Sequence, residues 1–257
     1  MGSAAGCACC LAAFRATAAE PAHAAATPGK PPHWSYEGTT GPDHWGDLSP
    51  DFKVCKLGLE QAPIDLATSL KSELSDRIDI DYRPLPLRIL NNGHTIQVNA
   101  EPGSACTIGA KRYELQQFHF HHPSEHVLSG KRFDLEGHLV HRANAGEFAV
   151  LGVFIRAGAR NAALQSIWDV MPQSEAPERN AGGAFDPSSL LPKSSSYFRY
   201  MGSLTTPPCS EGLTWTVFRE PIEASPDQIK QFATLFPNNA RPLQGRNRRF
   251  VIEASSN

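Results

Sequence analysis

Two stretches of this sequence hold most of its chemistry: Gln117-Phe118-His119-Phe120-His121-His122-Pro123-Ser124-Glu125-His126 and Glu136-Gly137-His138-Leu139-Val140-His141. If both are strands, residues two apart face the same side, about 6.5–7 Å apart along the chain. His119 and His121 then point together, while Phe118 and Phe120 pack behind them. Two imidazoles on one face can share a metal ion, and a third ligand leaves a tetrahedral site with one open corner. The second strand offers one: Glu136, His138 and Val140 share a face, and His141 points the other way. A lone His-x-His in a strand more commonly packs or faces solvent. Four of the chain's ten histidines lie between 119 and 126, beside a Glu-x-His strand, and this makes the metal reading as strong as the packing one. His122 reads as a structural or rim residue. Pro123 ends its strand's ladder, because proline has no N–H to donate.

These segments need a sheet to hold them. Alternating or continuous apolar runs bounded by turn residues predict strands at Ile78–Tyr82, Leu87–Leu90, Thr95–Asn99, Tyr113–His121, Glu136–Arg142, Phe148–Arg156 and Leu213–Glu220. Asn91-Asn92-Gly93 marks a hairpin-type turn. Helical patterns are few: Ala162–Val170 and Ser225–Phe236, the latter opened by Ser225-Pro226-Asp227. Many strands and few helices predict a mainly β chain of the α+β class, with a large, mostly antiparallel twisted sheet of about ten strands and peripheral helices.

Composition narrows the function classes. The 257 residues are 40% hydrophobic and 19% charged, with a net charge of −2. That balance excludes a duplex-binding domain, which carries a concentrated basic excess. The basic run Arg246-Asn247-Arg248-Arg249 reads as a solvated end. No apolar run is long enough to span a bilayer. Residues 1–26 read as a leader, and 27–257 as one domain without repeats. The leader is alanine-rich and carries Cys7, Cys9 and Cys10. It reads either as an export signal cleaved near Ala22-His23-Ala24 or as a disordered extension; Arg15 and the lack of an early basic residue speak against a signal. The folded part holds Cys55, Cys106 and Cys209, which leaves room for one disulfide and one free thiol in an oxidising compartment. The residues alone do not pair them.

Taken in order, the motifs resemble those of the alpha-class carbonic anhydrases over roughly residues 33–252, in a bacterial periplasmic or secreted style. They are Trp34-x-Tyr36, Gly41-Pro42 with Trp45, Asn92-Gly93-His94, Gln117 to His121, Ser124-Glu125-His126, Glu136 to His141, and Gly202 to Pro208 followed by Glu211 and Trp215. Gly137 stands where many members have leucine, and a tight Pro123 loop replaces a longer animal segment. The resemblance implies Zn2+ held by His119, His121 and His138, with His141 a buried strand residue. It implies reversible hydration of carbon dioxide to bicarbonate and a proton by zinc-bound hydroxide, with Thr205 and Glu125 orienting the hydroxide and His94 shuttling the proton. Gln117, Glu136 and the carbonyl of Asn239 would accept from the three ligand rings and fix their tautomers. Thr206 would contact substrate, and Val140, Val150, Leu204 and Trp215 would form its apolar wall. The resemblance also implies a Cys55–Cys209 disulfide with Cys106 left free, cis peptides before Pro63 and Pro208, and inhibition by sulfonamides and anions. A homodimer is left open, and the cytoplasm is the alternative compartment if the leader is not a signal. Three rivals stand beside this reading: a non-catalytic binding protein of the same family, a zinc esterase, and a metal-free sheet protein.

Overall fold

The structure, a computed structural model, describes residues 32–72 and 78–255. The leader, with Cys7, Cys9, Cys10 and the export reading, lies outside the described residues, as does the start of the predicted domain at 27–31. In chain order the strands are β1 (Leu70–Lys71), β2 (Ile78–Asp81), β3 (Leu85–Asn91), β4 (Ile96–Asn99), β5 (Ala105–Ile108), β6 (Lys111–His121), β7 (Leu135–Arg142), β8 (Phe148–Ala157), β9 (Ala176–Phe185), β10 (Ser196–Ser203), β11 (Glu211–Ala224) and β12 (Ile252–Ser255). The α-helices are α1 (Trp45–Leu48), α2 (Val54–Leu57), α3 (Ala162–Trp168) and α4 (Pro226–Leu235).

One 12-stranded sheet runs in the order β1-β12-β10-β11-β8-β7-β6-β4-β3-β9, with β2 and β5 attached beside β6. The predicted sheet of about ten strands is thus the main path of this order. It is mixed: β8 pairs with β11, and β1 with β12, in parallel. All seven predicted strands and both predicted helices form, most shifted at their ends by one to three residues. α3 and α4 pack on the large core through Leu164, Ile167, Trp168 and Phe232, while Trp45 of α1 and Cys55 of α2 belong to a separate small cluster. In α4, Ser225 accepts from the Gln228 N–H while the Gln228 side chain accepts from the Ser225 N–H, a capping box that satisfies two otherwise orphaned donors.

β6 departs from simple alternation in a way that matters for the site. Opposite β7, Leu115 pairs with His141 and Gln117 with Val140, so Gln116 is an extra residue at a bulge. Before the bulge Tyr113 and Leu115 face the large core, and after it Phe118 and Phe120 do. An unbroken strand would have put Leu115 and His119 on one face. The bulge frees Gln117, His119 and His121 for the opposite face. There His119 stands directly across from His138, and His121 from Glu136.

On the core face, Gly137 stands across from Phe120. A small apolar cavity of about 10 Å³ lies among Phe118, Phe120, Gly137, Leu139 and Val153. A methyl group on Gly137 would meet the Phe120 ring at 3.5 Å, an ordinary contact. Gly137→Ala is therefore expected to stabilise the protein by about 0.5–1 kcal/mol, by filling space and restricting the unfolded chain. A lower urea midpoint for the variant would contradict this.

Candidate metal centre

Each of the three predicted ligands uses one ring nitrogen to bond the protein. His119 Nδ1 lies 2.8 Å from Gln117 Oε1, and His121 Nδ1 lies 2.7 Å from the Asn239 carbonyl. His138 Nε2 lies 2.9 Å from Glu136 Oε1. All three partners are acceptors, so these nitrogens carry the protons. The remaining nitrogens, Nε2 of His119 and His121 and Nδ1 of His138, are left as lone-pair donors, and the three rings each place a nitrogen within 4.8 Å of the others. Gln117, Glu136 and Asn239, the partners expected for these rings, thus each lie within hydrogen-bond distance of one of them.

The electrostatics suit a cation. Burial, reinforced by His121 and His138, holds His119 well below its ordinary value; burial also lowers His121, against the pull of Glu125. Neutral rings are what a metal needs. Two buried polar atoms here have no hydrogen-bond partner: His121 Nε2 and Glu125 Oε2, which are 3.6 Å apart. Buried atoms left this way call for an ion or a water to complete them. Imidazole nitrogens with one carboxylate behind them, none of them thiolate, form a donor set suited to zinc.

Glu125 is fully buried, and its other oxygen accepts from the Arg241 N–H at 2.8 Å. The expected bond from Thr205 is not made, because Glu125 Oε2 has no partner. Thr205 is buried and Thr206 partly exposed, on the segment between β10 and β11. Val140, Val150 and Trp215 share a buried cluster on which Leu204 packs. Val140, Val150 and Trp215 lie in one row across β7, β8 and β11.

The predicted disulfide joins Cys55 to Cys209, and Cys106 is free and buried. The cis bonds expected before Pro63 and Pro208 are present, with another at His122–Pro123. His122 turns Nδ1 to the Pro237 carbonyl at 2.9 Å, and His141 bonds Tyr82 Oη at 2.7 Å. Both stay out of the centre.

Sequence reasoning missed three participants. His126 donates from its backbone N–H and from Nδ1 to Glu136, at 2.8 and 2.7 Å, and its Nε2 accepts from Tyr200 Oη at 2.6 Å. Burial alone would raise the Glu136 pKa, but His126 and His138 outweigh it and hold the carboxyl well below its usual range. Glu136 is thus an anion that polarises His138. Gly152 makes room for it, since a methyl there would lie 3.2 Å from Glu136 Oε1. After His126 and Tyr200 the third is Arg241, buried, whose guanidinium donates to Gln61 Oε1 and to the carbonyls of Ala62 and Cys55. His126 lay in the histidine cluster and could have been weighed as a ring partner. Tyr200 and Arg241 carried no local signal.

His94 ends the turn between β3 and β4. Its ring stacks on Trp34, with centroids 3.7 Å apart and planes 7° apart. Its carbonyl accepts from Asn239 Nδ2 at 2.9 Å, so one asparagine ties the turn to His121. Burial, then His33, lower the His94 pKa from 6.5, with Glu175 opposing. Its NMR titration midpoint is expected below 6.5 and should rise toward that value in Trp34→Ala. An unchanged midpoint in the variant would contradict burial under Trp34 as the cause.

The family profile of eukaryotic-type carbonic anhydrases matches residues 40–255. A carbonic anhydrase from a Nostoc species is 49% identical over 227 residues, 86% of each chain. One from Pectobacterium carotovorum is 42% identical over 221 residues, 86% of this chain and 90% of that one. The structure of the alpha-carbonic anhydrase from Thermovibrio ammonificans, with the inhibitor sulfanilamide, superposes with a TM-score of 0.83 at 44% identity, covering 86% of this chain and 99% of that one. With the motifs in order and the profile spanning nearly the whole described fold, the chain belongs to the alpha-class, eukaryotic-type carbonic anhydrases.

Proposed function

We propose that this carbonic anhydrase works through zinc held by His119, His121 and His138, with the surrounding residues in the roles given below. The reaction is the reversible hydration of carbon dioxide to bicarbonate and a proton. The observation that carries the zinc reading is the convergence of three ring nitrogens whose opposite nitrogens are already committed to Gln117, Asn239 and Glu136. When bound, zinc supplies the positive charge that makes hydroxide available at neutral pH, an effect for which carbonic anhydrase is the reference case.

The chain's own residues do the rest. Gln117, Asn239 and Glu136 hold the tautomers, so the three lone pairs stay aimed at one point. An ionised Glu125 can only accept, so its free Oε2 would take a hydrogen bond from the Thr205 hydroxyl once that side chain turns to it, a bond the structure itself does not make. Thr205 Oγ1 would then keep its lone pairs free to accept a hydrogen bond and so orient a donor held in the site. Carbon dioxide has no net dipole and needs an apolar surface. Val140, Val150, Leu204 and Trp215 supply it, with Thr206 on the polar side. His94, neutral near pH 7 because of its lowered pKa, takes the product proton and passes it to buffer.

Inhibition by sulfonamides and anions belongs to this reading. So does a periplasmic or secreted location, supported by the Cys55–Cys209 bond. Among the described residues no helix is long and apolar enough to cross a membrane. The deciding test is metal removal. Dialysis against a zinc chelator should abolish carbon dioxide hydration, and one equivalent of Zn2+ should restore it. Activity that survives in metal-free protein overturns the zinc mechanism.

A further inference from the structure

A ladder of polar side chains runs from the edge of the sheet to the His94 turn. Arg88 on β3 donates to Glu178 Oε1 on β9 through Nε at 2.8 Å and Nη2 at 2.5 Å. Glu178 Oε2 accepts from Asn99 Nδ2 at 2.6 Å. Asn99 Oδ1 accepts from Gln97 Nε2 at 2.6 Å, and Gln97 Oε1 from Asn92 Nδ2 at 3.4 Å. Asn92 Oδ1 then accepts from the N–H groups of His94 at 3.0 Å and Thr95 at 2.9 Å. The ladder passes beside the metal strand, where Gln97 pairs with His119 and Asn99 with Gln117.

The order of atoms in this ladder has a direction. The oxygen and nitrogen ends of an asparagine or glutamine amide have nearly the same shape, so their partners decide which way they point. A carboxylate is acceptor-only. Glu178, kept ionised by its Asn99 and Arg88 donors, must be met by the NH2 of Asn99. That turns the Asn99 oxygen to Gln97, the Gln97 oxygen to Asn92, and the Asn92 oxygen to the turn. At the far end only an oxygen suits, because two backbone N–H groups converge there. One end of the ladder is anionic and the other needs an acceptor, so every amide between them has one favoured orientation.

We infer that Glu178, acting through Asn99 and Gln97, is a positioning residue that locks Asn92 and with it the turn carrying His94. This rests on His94 as the proton shuttle for its catalytic consequence, but not for its structural one. Glu178 touches no reacting atom. Its effect would be confined to proton delivery, leaving the hydration step itself alone.

The test is Glu178→Gln, with Asn99→Ala as a second break, both made in the full zinc-loaded chain. In Glu178→Gln the single amide oxygen is claimed by Arg88, so NH2 faces Asn99 and the amides lose their shared direction. Amide hydrogen exchange at His94 and Thr95 should quicken by about tenfold in either variant, as local opening becomes easier. The kcat in dilute buffer should fall about threefold, with kcat/KM unchanged, and concentrated imidazole buffer should restore it, because a mispositioned relay slows only proton transfer. Unchanged exchange at both amides in both variants overturns the ladder. So does a fall in kcat/KM that imidazole does not rescue. His94→Ala, run alongside, separates the two readings. If it leaves kcat untouched while Glu178→Gln still quickens exchange, the ladder stands and the shuttle role fails.

Discussion

Replacing His119, His121 or His138 by alanine is expected to abolish zinc retention and to lower carbon dioxide hydration by on the order of 10³-fold or more, since a bound metal contributes several kcal/mol to the barrier and each ~1.4 kcal/mol is tenfold. The loss should be equal at the three positions within about a factor of ten, because each supplies one corner of the same site. It should not be recovered by excess zinc at ordinary concentrations. The structure also provides contrasts. His122 bonds the Pro237 carbonyl, and His141 bonds Tyr82 in the core behind the sheet. His122→Ala should keep zinc and most of its activity. Metal analysis beside stopped-flow hydration reads both effects. Zinc retained at full stoichiometry in His138→Ala would sink the proposed ligand set, and full loss in His122→Ala would show that the wrong histidines had been chosen.

The contrast between His119 and His141 also shows what the sequence could and could not disclose. Alternation within β7 was enough to separate His138 from His141, because that strand is regular from Leu135 to Arg142. Within β6 alternation alone would have misled. The extra residue at Gln116 reverses the parity, and no local signal announces it. The histidines were still legible because both follow the bulge and share a parity of their own. The strands β9 and β10 escaped notice for different reasons. β9, at the end of the sheet order, contains Pro177, Gly182 and Gly183 and is exposed at most positions, so it offers no apolar pattern to read. β10 sends Tyr197 to one core cluster and Phe198 and Tyr200 to the other, so apolar residues on both faces blur any alternation in Ser196–Ser203. Long-range partners were the least legible. Arg241 meets Glu125, Gln61 and Cys55 across separations of 116 to 186 residues. Only the three-dimensional fold brings such positions together, and the pairings taken from the family resemblance, such as Asn239 with His121, were legible only because relatives had already solved the same problem.

The same long-range logic makes the disulfide a large contributor to stability that a small change removes. Cys55 and Cys209 are 154 residues apart in sequence. Closing a loop of that size lowers unfolded-chain entropy by an amount worth about 5 kcal/mol in the chain-entropy model, and measured losses run roughly 2–5 kcal/mol. The bond also sits inside a network. Cys209 N–H donates to the Thr206 carbonyl at 2.9 Å, Gln61 Nε2 to the Cys209 carbonyl at 3.1 Å, and Arg241 Nη2 to the Cys55 carbonyl at 2.9 Å. Arg241 in turn holds Glu125 through its backbone N–H. Thr205, Thr206 and Glu125 are thus tied to the two cysteines from both sides. Cys106 offers no substitute partner, since burial pushes its thiol up to about 12 and leaves it unreactive. The double variant Cys55→Ser, Cys209→Ser is therefore expected to lose about 3–5 kcal/mol and to melt roughly 10 °C lower. Its kcat should fall well below its melting temperature, because the segment carrying Thr205 loosens before the sheet does, while zinc stoichiometry stays whole on β6 and β7. Calorimetry with parallel hydration assays measures both. An unchanged melting point would remove the disulfide from the stability account, and a full kcat in a destabilised variant would show that the catalytic segment is held by the hydrogen bonds alone.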